Sequence, residues 1–175
     1  MKNSKMNTIL NNLQIRLSEN DGVLTVPYDD GSLHPATFRF HEPLSNEKLL
    51  RFERDLAYSL PEDYRSFLLY CNGCRLFDHP SYGGENYLHS IDQIVLYTYE
   101  EDENEDQYLK IGYFCQDDLV IDLEAHAQGE PHYILVKGML DDFAEARPLH
   151  MNFEQWFERF LETHGEKFWT LTSLD

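Results

Sequence analysis

Apolar residues first recur with a helical period near the start of the chain. Within residues 3–19 they fall on one side of a helix: Ile9, Leu10, Leu13 and Leu17. The polar sequence Asn20-Asp21-Gly22 predicts the end of this helix. Two short strands are predicted next, over residues 23–26 and 36–40, because the turn residues Asp29-Asp30-Gly31 separate them. The chain is therefore expected to open with a helix and a hairpin.

Two further helices are predicted with clear start and stop signals. Ser45 is a good N-cap for the first, whose apolar positions follow at i, i+3 and i+7: Leu49, Phe52 and Leu56. This helix is expected to end before Leu60-Pro61, since the residue ahead of a proline avoids the helical region. Pro61 then opens the second helix, and two acids follow it at the positive end of the helix dipole. Its apolar face comprises Tyr64, Phe67, Leu68 and Cys71, and Asn72-Gly73 predicts a left-handed stop.

The pattern changes to strands after residue 74. Runs of β-branched or aromatic residues alternate with polar turns: Leu76-Phe77 and residues 94–99, 108–114, 119–123 and 133–136. The gaps between them are too short for parallel crossovers, so we expect antiparallel neighbours. A last helix is predicted from the N-cap Asn152 to Gly165, with a wide apolar stripe: Phe153, Trp156, Phe157, Phe160 and Leu161.

Length and composition predict one domain with a short extension. Of the 175 residues 42% are hydrophobic, with eleven Phe and eleven Tyr, which is enough apolar surface for a core. We place the boundary so that residues 1–44 form a helix and hairpin packed on a main domain of residues 45–175. Cytoplasmic localisation is expected because no apolar stretch follows the basic residues 1–6, no run approaches the roughly 20 residues of a membrane span, and three cysteines indicate reduced thiols.

Charge narrows the classes of partner. The chain has 32 Asp and Glu against 14 Lys and Arg, a formal net charge of −18. This excess opposes direct binding to nucleic acid or to an anionic membrane, both of which reward Lys and Arg. It favours basic proteins as partners. The alternative is that the acidity only keeps the protein soluble.

Several motifs follow one another between residues 45 and 163. They read Glu53-Arg54-Asp55-Leu56, Leu60-Pro61-Glu62-Asp63-Tyr64-Arg65-Ser66-Phe67-Leu68-Leu69, Asn72-Gly73, Leu88-His89-Ser90-Ile91-Asp92-Gln93-Ile94, Ile111-Gly112, Leu119-Val120-Ile121-Asp122-Leu123 and Asn152-Phe153-Glu154-Gln155-Trp156-Phe157. In this order and spacing they resemble the SUKH superfamily, which includes yeast cell-wall assembly regulators and many bacterial proteins. Residues 1–40 have no counterpart in that pattern.

The resemblance implies an α+β fold, in which helices pack on a curved antiparallel β-sheet, and a protein-binding function. Many bacterial members are immunity proteins against polymorphic toxins, often nucleases, and eukaryotic members act as interaction regulators. We therefore expect a non-enzymatic immunity protein that binds a cognate toxin, such as a basic nuclease, without a cofactor. The alternative is a regulatory or scaffolding protein whose partner is not a toxin.

The candidate partner-binding residues are acidic. They are Glu100, Glu101, Asp102, Glu103, Glu105, Asp106, Asp117 and Asp118. Six of them lie within residues 100–106, where closely spaced like charges repel one another and a cationic partner would relieve that repulsion. The alternative is a solvated hairpin loop. Calcium binding is a minor alternative, since the run lacks the spacing of an EF-hand loop.

Two motifs raise the question of metal or redox chemistry. Cys71-Asn72-Gly73-Cys74 is a CxxC motif, but it lies at a helix end, where the dipole opposes a thiolate, and it lacks a second pair for zinc. Asp118, Asp122 and Glu124 would share one face of a strand, which is compatible with a metal-dependent hydrolase or with an exposed polar face. We predict no catalytic residue and no metal site.

Overall fold

The computed structural model describes residues 4–100 and 106–170. Over these residues the chain forms one open sheet of eight antiparallel strands that neighbour one another in chain order. The strands are β1 (Val23–Pro27), β2 (Leu33–Phe40), β3 (Cys74–Asp78), β4 (Asn86–Leu88), β5 (Tyr108–Phe114), β6 (Asp117–Asp122), β7 (Ile134–Gly138) and β8 (Arg147–Pro148). With the helices that pack on it, this sheet confirms the predicted α+β class.

Six α-helices accompany the sheet in the described part of the chain. They are α1 (Lys5–Glu19), α2 (Asn46–Leu56), α3 (Glu62–Tyr70), α4 (Ile91–Val95), α5 (Leu123–Ala127) and α6 (Phe153–Glu162). A π-helical turn, Leu96–Glu100, continues α4, and two 3-10 turns occur at Phe143–Glu145 and Phe168–Thr170. The side chains of Ser45 and Asn152 cap α2 and α6 as their sequence positions predict.

The core lies between one face of the sheet and helices α1, α3 and α6, which pack on one another. Six residues from the predicted apolar faces of α2, α3 and α6 are all buried in a single cluster: Leu56, Tyr64, Phe67, Leu68, Trp156 and Phe160. The Phe114 ring of β5 meets both Trp156 and Phe160 of α6 at 5.0 and 5.1 Å between ring centroids. Edge-to-face aromatic contacts therefore attach α6 to the middle of the sheet.

Hydrogen bonds to one carboxylate join the starts of α3 and α6. Asp63 accepts hydrogen bonds from the Tyr133 hydroxyl and from the backbone N–H of Glu154, the latter at 2.9 Å. The Tyr133 oxygen in turn accepts from the N–H of Phe153 at 3.2 Å. These bonds satisfy helix N-terminal donors that would otherwise be buried without a partner. Helix α2 is joined to α3 in a similar way, since Arg65 of α3 donates a hydrogen bond to Glu53 of α2 at 2.5 Å.

The predicted N-terminal helix and hairpin are confirmed, and the hairpin extends the same sheet. Strand β2 pairs with β3, and Met6 and Leu10 of α1 are buried in the main core. Leu13 and Leu17 form a second small cluster with Leu24 of β1. The division of the chain after residue 44 stays a prediction.

The predicted strand over residues 94–99 is wrong. These residues belong to α4 and the π-helical turn, although β-branched and aromatic residues favour strands. A capping box overrides that propensity, since the Ser90 side chain accepts from the Gln93 N–H while the Gln93 side chain accepts from the Ser90 N–H. Strand β4 was missed because three residues give too short a pattern. Pro61 is the N-cap of α3 and not its first helical residue.

Candidate protein-binding site

The sheet face that points away from α6 carries a row of polar and aromatic residues. The strand registers place six residues directly opposite one another, one on each strand from β2 to β7: Arg39, Arg75, Tyr87, Tyr113, Asp118 and Lys137. Chain neighbours of these residues, such as Leu88, Phe114 and Leu119, lie in the core. Because successive strand residues point to opposite faces, the row lies on the other face.

Two adjoining pockets make a groove along this row. The first, about 290 Å³, is lined by Tyr87, His89, Tyr97, Lys110, Tyr113, Asp118 and Met139. The second, about 420 Å³, shares Tyr87, His89 and Tyr97 with the first and extends to Arg39, His41 and Arg75. We call the two together the sheet groove. It runs from a cationic end at β2 to an aromatic end at β5.

The floor of the aromatic end contains a buried ion triad. The carboxylate of Asp118 lies 3.1 Å from Nζ of Lys137 and 3.7 Å from Nζ of Lys110. Lys137 also donates to the carbonyl oxygens of Gly138 and Asp141, at 3.3 and 2.9 Å. Both ammonium groups lie over the Phe143 ring, at 5.3 and 5.6 Å from its centre. Such buried charges need this many partners because removal from water is costly.

His89 is a buried imidazole at the junction of the two pockets. It is 6% exposed, and its Nδ1 has no hydrogen-bond partner among the described residues. Burial, and then the charge of Lys110, lower the pKa of His89 to about 4. The ring is therefore neutral at pH 7, which leaves one nitrogen as donor and the other as acceptor. Its ring centroid lies 4.9 Å from that of Tyr97.

The sequence Asn72-Gly73 positions this junction. Gly73 has φ +89°, and a Cβ at this position would lie 2.7 Å from both Leu88 O and Ser90 N, so only glycine fits. The Asn72 side chain accepts a hydrogen bond from the N–H of Ile91 at 2.9 Å at the start of α4. The motif thus fixes the chain on both sides of His89.

Most of the predicted acidic run falls outside the described residues, including Glu101, Asp102, Glu103 and Glu105. At its two ends, Glu100 is the last residue of the π-helical turn, and Asp106 is exposed in the turn before β5. The structure does not bring Asp117 and Asp118 to one side of β6. Asp118 enters the ion triad, whereas Asp117 lies 2.9 Å from Nζ of Lys167 and accepts from the Trp169 indole N–H at 2.8 Å.

Several of the residues considered for metal or redox chemistry lie where they contribute to the fold, in the core or at a helix cap. Cys71 and Cys74 are buried free thiols, and burial raises the pKa of Cys74 well above its usual range. The expectation that Asp118, Asp122 and Glu124 share a strand face is wrong for Glu124, which lies in α5; Asp118 and Asp122 both lie in β6, and the Asp122 side chain caps α5. Within residues 4–100 and 106–170 no three His, Cys, Asp or Glu side chains form a group that could hold a metal ion.

Sequence reasoning missed the sheet groove because strand register cannot be read from a strand pattern alone. One signal was available: Lys110 and Lys137 each follow apolar residues within a strand, where a charged side chain needs a buried partner. No described helix has the combination of length and apolarity required to span a membrane.

The fold and the groove define the class: an α+β protein in which helices cover one face of an open antiparallel sheet and the other face carries a polar and aromatic groove. The chain belongs to the SMI1 / KNR4 family (SUKH-1), whose sequence profile matches residues 43–159. This match confirms the resemblance found in the motifs. Arg39, at the cationic end of the groove, lies just outside the matched segment.

Two relatives from Bacillus subtilis (strain 168) are similar over most of the chain. The "Uncharacterized protein YnaB" is 34% identical over 137 residues, which cover 78% of this chain and 90% of that protein. The "Uncharacterized protein YobM" is 33% identical over 124 residues, which cover 67% of this chain and 65% of that protein. Their names assign no partner, so the comparisons establish family membership alone.

Proposed function

We propose that the protein is an immunity protein that binds and neutralises a cognate toxin, and that it acts by binding and not by catalysis. The observation that carries the proposal is the charge of this family member, −18 from 32 acidic and 14 basic residues. Such a charge attracts basic proteins over a distance set by the ionic strength. A basic nuclease, whose phosphate-binding surface is cationic, is the toxin class that suits it best.

The proposed contact residues are those of the acidic run, residues 100–106. Their joint negative potential would speed association with a basic surface, from a neutral rate constant of about 10⁵–10⁶ M⁻¹s⁻¹ toward about 10⁸–10⁹ at low salt. Asp118 is shared by two lysines, so its charge is balanced within the fold and contributes little to this potential. The run alone therefore provides the test.

The partner is sought by co-expressing the chain with the product of the neighbouring gene and purifying the complex. If the proposal is right, that product is toxic alone, is tolerated in the presence of this chain, and co-purifies with it. Co-purification of a partner that is not toxic would instead favour a regulatory or scaffolding role. No complex with any neighbouring product would contradict the proposal.

The acidic run is then tested by stopped-flow mixing with the partner at several salt concentrations. The test variant carries amides at Glu100, Glu101, Asp102, Glu103, Glu105 and Asp106. The control variant carries the same number of amides at exposed acids elsewhere: Glu19, Asp21, Asp29, Glu47, Glu162 and Glu166. Both lose equal charge, so slower association in the test variant alone would assign the contact to the run. Association that is insensitive to salt and equal in both variants would exclude electrostatic steering by the run.

A further inference from the structure

We propose that the sheet groove binds an acidic peptide segment of a partner protein. The segment places carboxylates at the cationic end of the groove and an aromatic side chain at the aromatic end. This inference rests on the protein-binding part of the proposed function. It adds a second surface of opposite charge to the acidic run, so that one partner is held at two sites of different chemistry.

The cationic end holds two arginines in an unbalanced arrangement. Arg39 and Arg75 are register partners on β2 and β3, and like charges directly opposite on neighbouring strands repel. Arg75 is held by Asp78, with 2.6 Å between Nε and Oδ2, and its guanidinium lies 4.7 Å from the centre of the Tyr87 ring. Arg39 is exposed and makes no ion pair within residues 4–100 and 106–170. An incoming carboxylate beside Arg39 would offset the repulsion between the two guanidinium groups.

The aromatic end of the groove has the size and lining for one aromatic side chain. Its pocket of about 290 Å³ lies at the lower limit of the roughly 300–1,000 Å³ of small-ligand sites. Tyr87 and Tyr113 have nearly parallel rings 6.1 Å apart, and the Tyr87 hydroxyl is fixed by the carbonyl oxygen of Gly84 at 2.6 Å. Tyr, Arg and Met are the residue types enriched at protein interfaces, and Met139 stands at the rim, 47% exposed.

His89 supplies an unsatisfied polar atom between the two ends. A buried imidazole nitrogen without a hydrogen bond carries a desolvation cost, and the His89 ring lines both pockets of the groove. A peptide main chain presents both N–H and C=O groups and would therefore suit either tautomer of the neutral ring. This requirement favours a peptide over a simple anion.

Strand spacing sets the length of the segment. The midpoint between Arg39 and Arg75 and the midpoint between Tyr87 and Tyr113 are two strands apart, or about 10 Å at about 4.8 Å per strand. An extended chain covers this distance in about three residues. The fitting segment therefore has an acidic residue three positions from an aromatic one.

The probe is a synthetic peptide with capped ends, EESSFS, titrated into the ¹⁵N-labelled full chain. We expect saturable shifts of the amide signals of Tyr87, His89 and Tyr113, with a dissociation constant near or below about 1 mM. Two matched peptides, KKSSFS and EESSSS, lack the acidic or the aromatic feature and should bind more weakly. Arg39→Gln should weaken EESSFS binding by up to about fivefold, while Arg16→Gln, an equal change on exposed α1, should leave it unchanged.

Several results would overturn the proposal. They are the absence of saturable shifts, equal affinity for the basic peptide or for EESSSS, or equal weakening by the two arginine variants. Dimerisation in sedimentation that Arg39→Gln abolishes would assign the groove to a second copy of this chain and would also overturn it. Because the probe is a peptide, a negative result here would leave co-purification with a toxin unaffected, and the two proposals fail separately.

Discussion

Replacing Asp118 by Asn should destabilise the protein more than the neutral replacement of any exposed charged residue. The carboxylate is 10% exposed and is shared by Lys110 and Lys137, whose side chains are 9% and 1% exposed. The amide would remove the negative charge that compensates two buried ammonium groups while keeping nearly the same volume. Breaking a buried pair in this way costs about 3–5 kcal/mol. The Lys137 hydrogen bonds to backbone carbonyls remain, so we expect a loss near 3 kcal/mol.

Urea unfolding followed by the fluorescence of the two buried tryptophans, Trp156 and Trp169, measures this loss. Asp29→Asn, in the exposed β1–β2 turn, carries the same chemical change and should stay within about 0.5 kcal/mol of the parent. Combining Asp118→Leu with Lys137→Met should recover part of the stability, because the double change removes charges of both signs. A loss below about 1 kcal/mol for Asp118→Asn would refute the view that the triad is a desolvated ion cluster.

Three further predictions concern the core, His89 and the cysteines. Phe67→Ala should lower the free energy of unfolding by about 3–5 kcal/mol, since the ring is fully buried among Tyr64, Phe153 and Phe157. An unchanged melting temperature would contradict the burial of this ring in the core. His89 should make the protein acid-sensitive, because its pKa in the folded state is about 4 and lies below the usual 6.5. Below pH 6.5 the unfolded state therefore binds a proton that the folded state does not. By about pH 4 this difference should lower the free energy of unfolding by about 3 kcal/mol. His89→Gln should remove that part of the loss in denaturation at a series of pH values, and equal slopes for both proteins would disprove it. In the native chain one thiol, that of the exposed Cys115, should react with a maleimide, and in denaturant all three thiols should react. Rapid labelling of Cys71 or Cys74 in the native chain would contradict their burial.

The sequence predicts the helices best, because their signals are local. Caps at Ser45 and Asn152, the stop at Asn72-Gly73 and apolar spacing along α3 and α6 each depend on residues within one or two turns. The same local reasoning fails for residues 94–99, where a capping box at Ser90 outweighs strand propensity. Long-range features are less accessible. The burial of Asp118 depends on Lys137, 19 residues further along the chain, and on the register of β6 with β7.

The division of labour among these residues bears on how a family member acquires its partner. The motif residues that identify the family build the fold: Asp63 joins two helix starts, Arg65 pairs with Glu53, and Gly73 permits the close contact beside His89. Motifs of this kind can define membership without defining a ligand, because function depends on the site and not on the fold. Arg39 makes no ion pair within residues 4–100 and 106–170, and it lies outside residues 43–159. If the two proposed surfaces bind the partner, its identity can change through β2 and through residues 100–106 while the buried core stays the same.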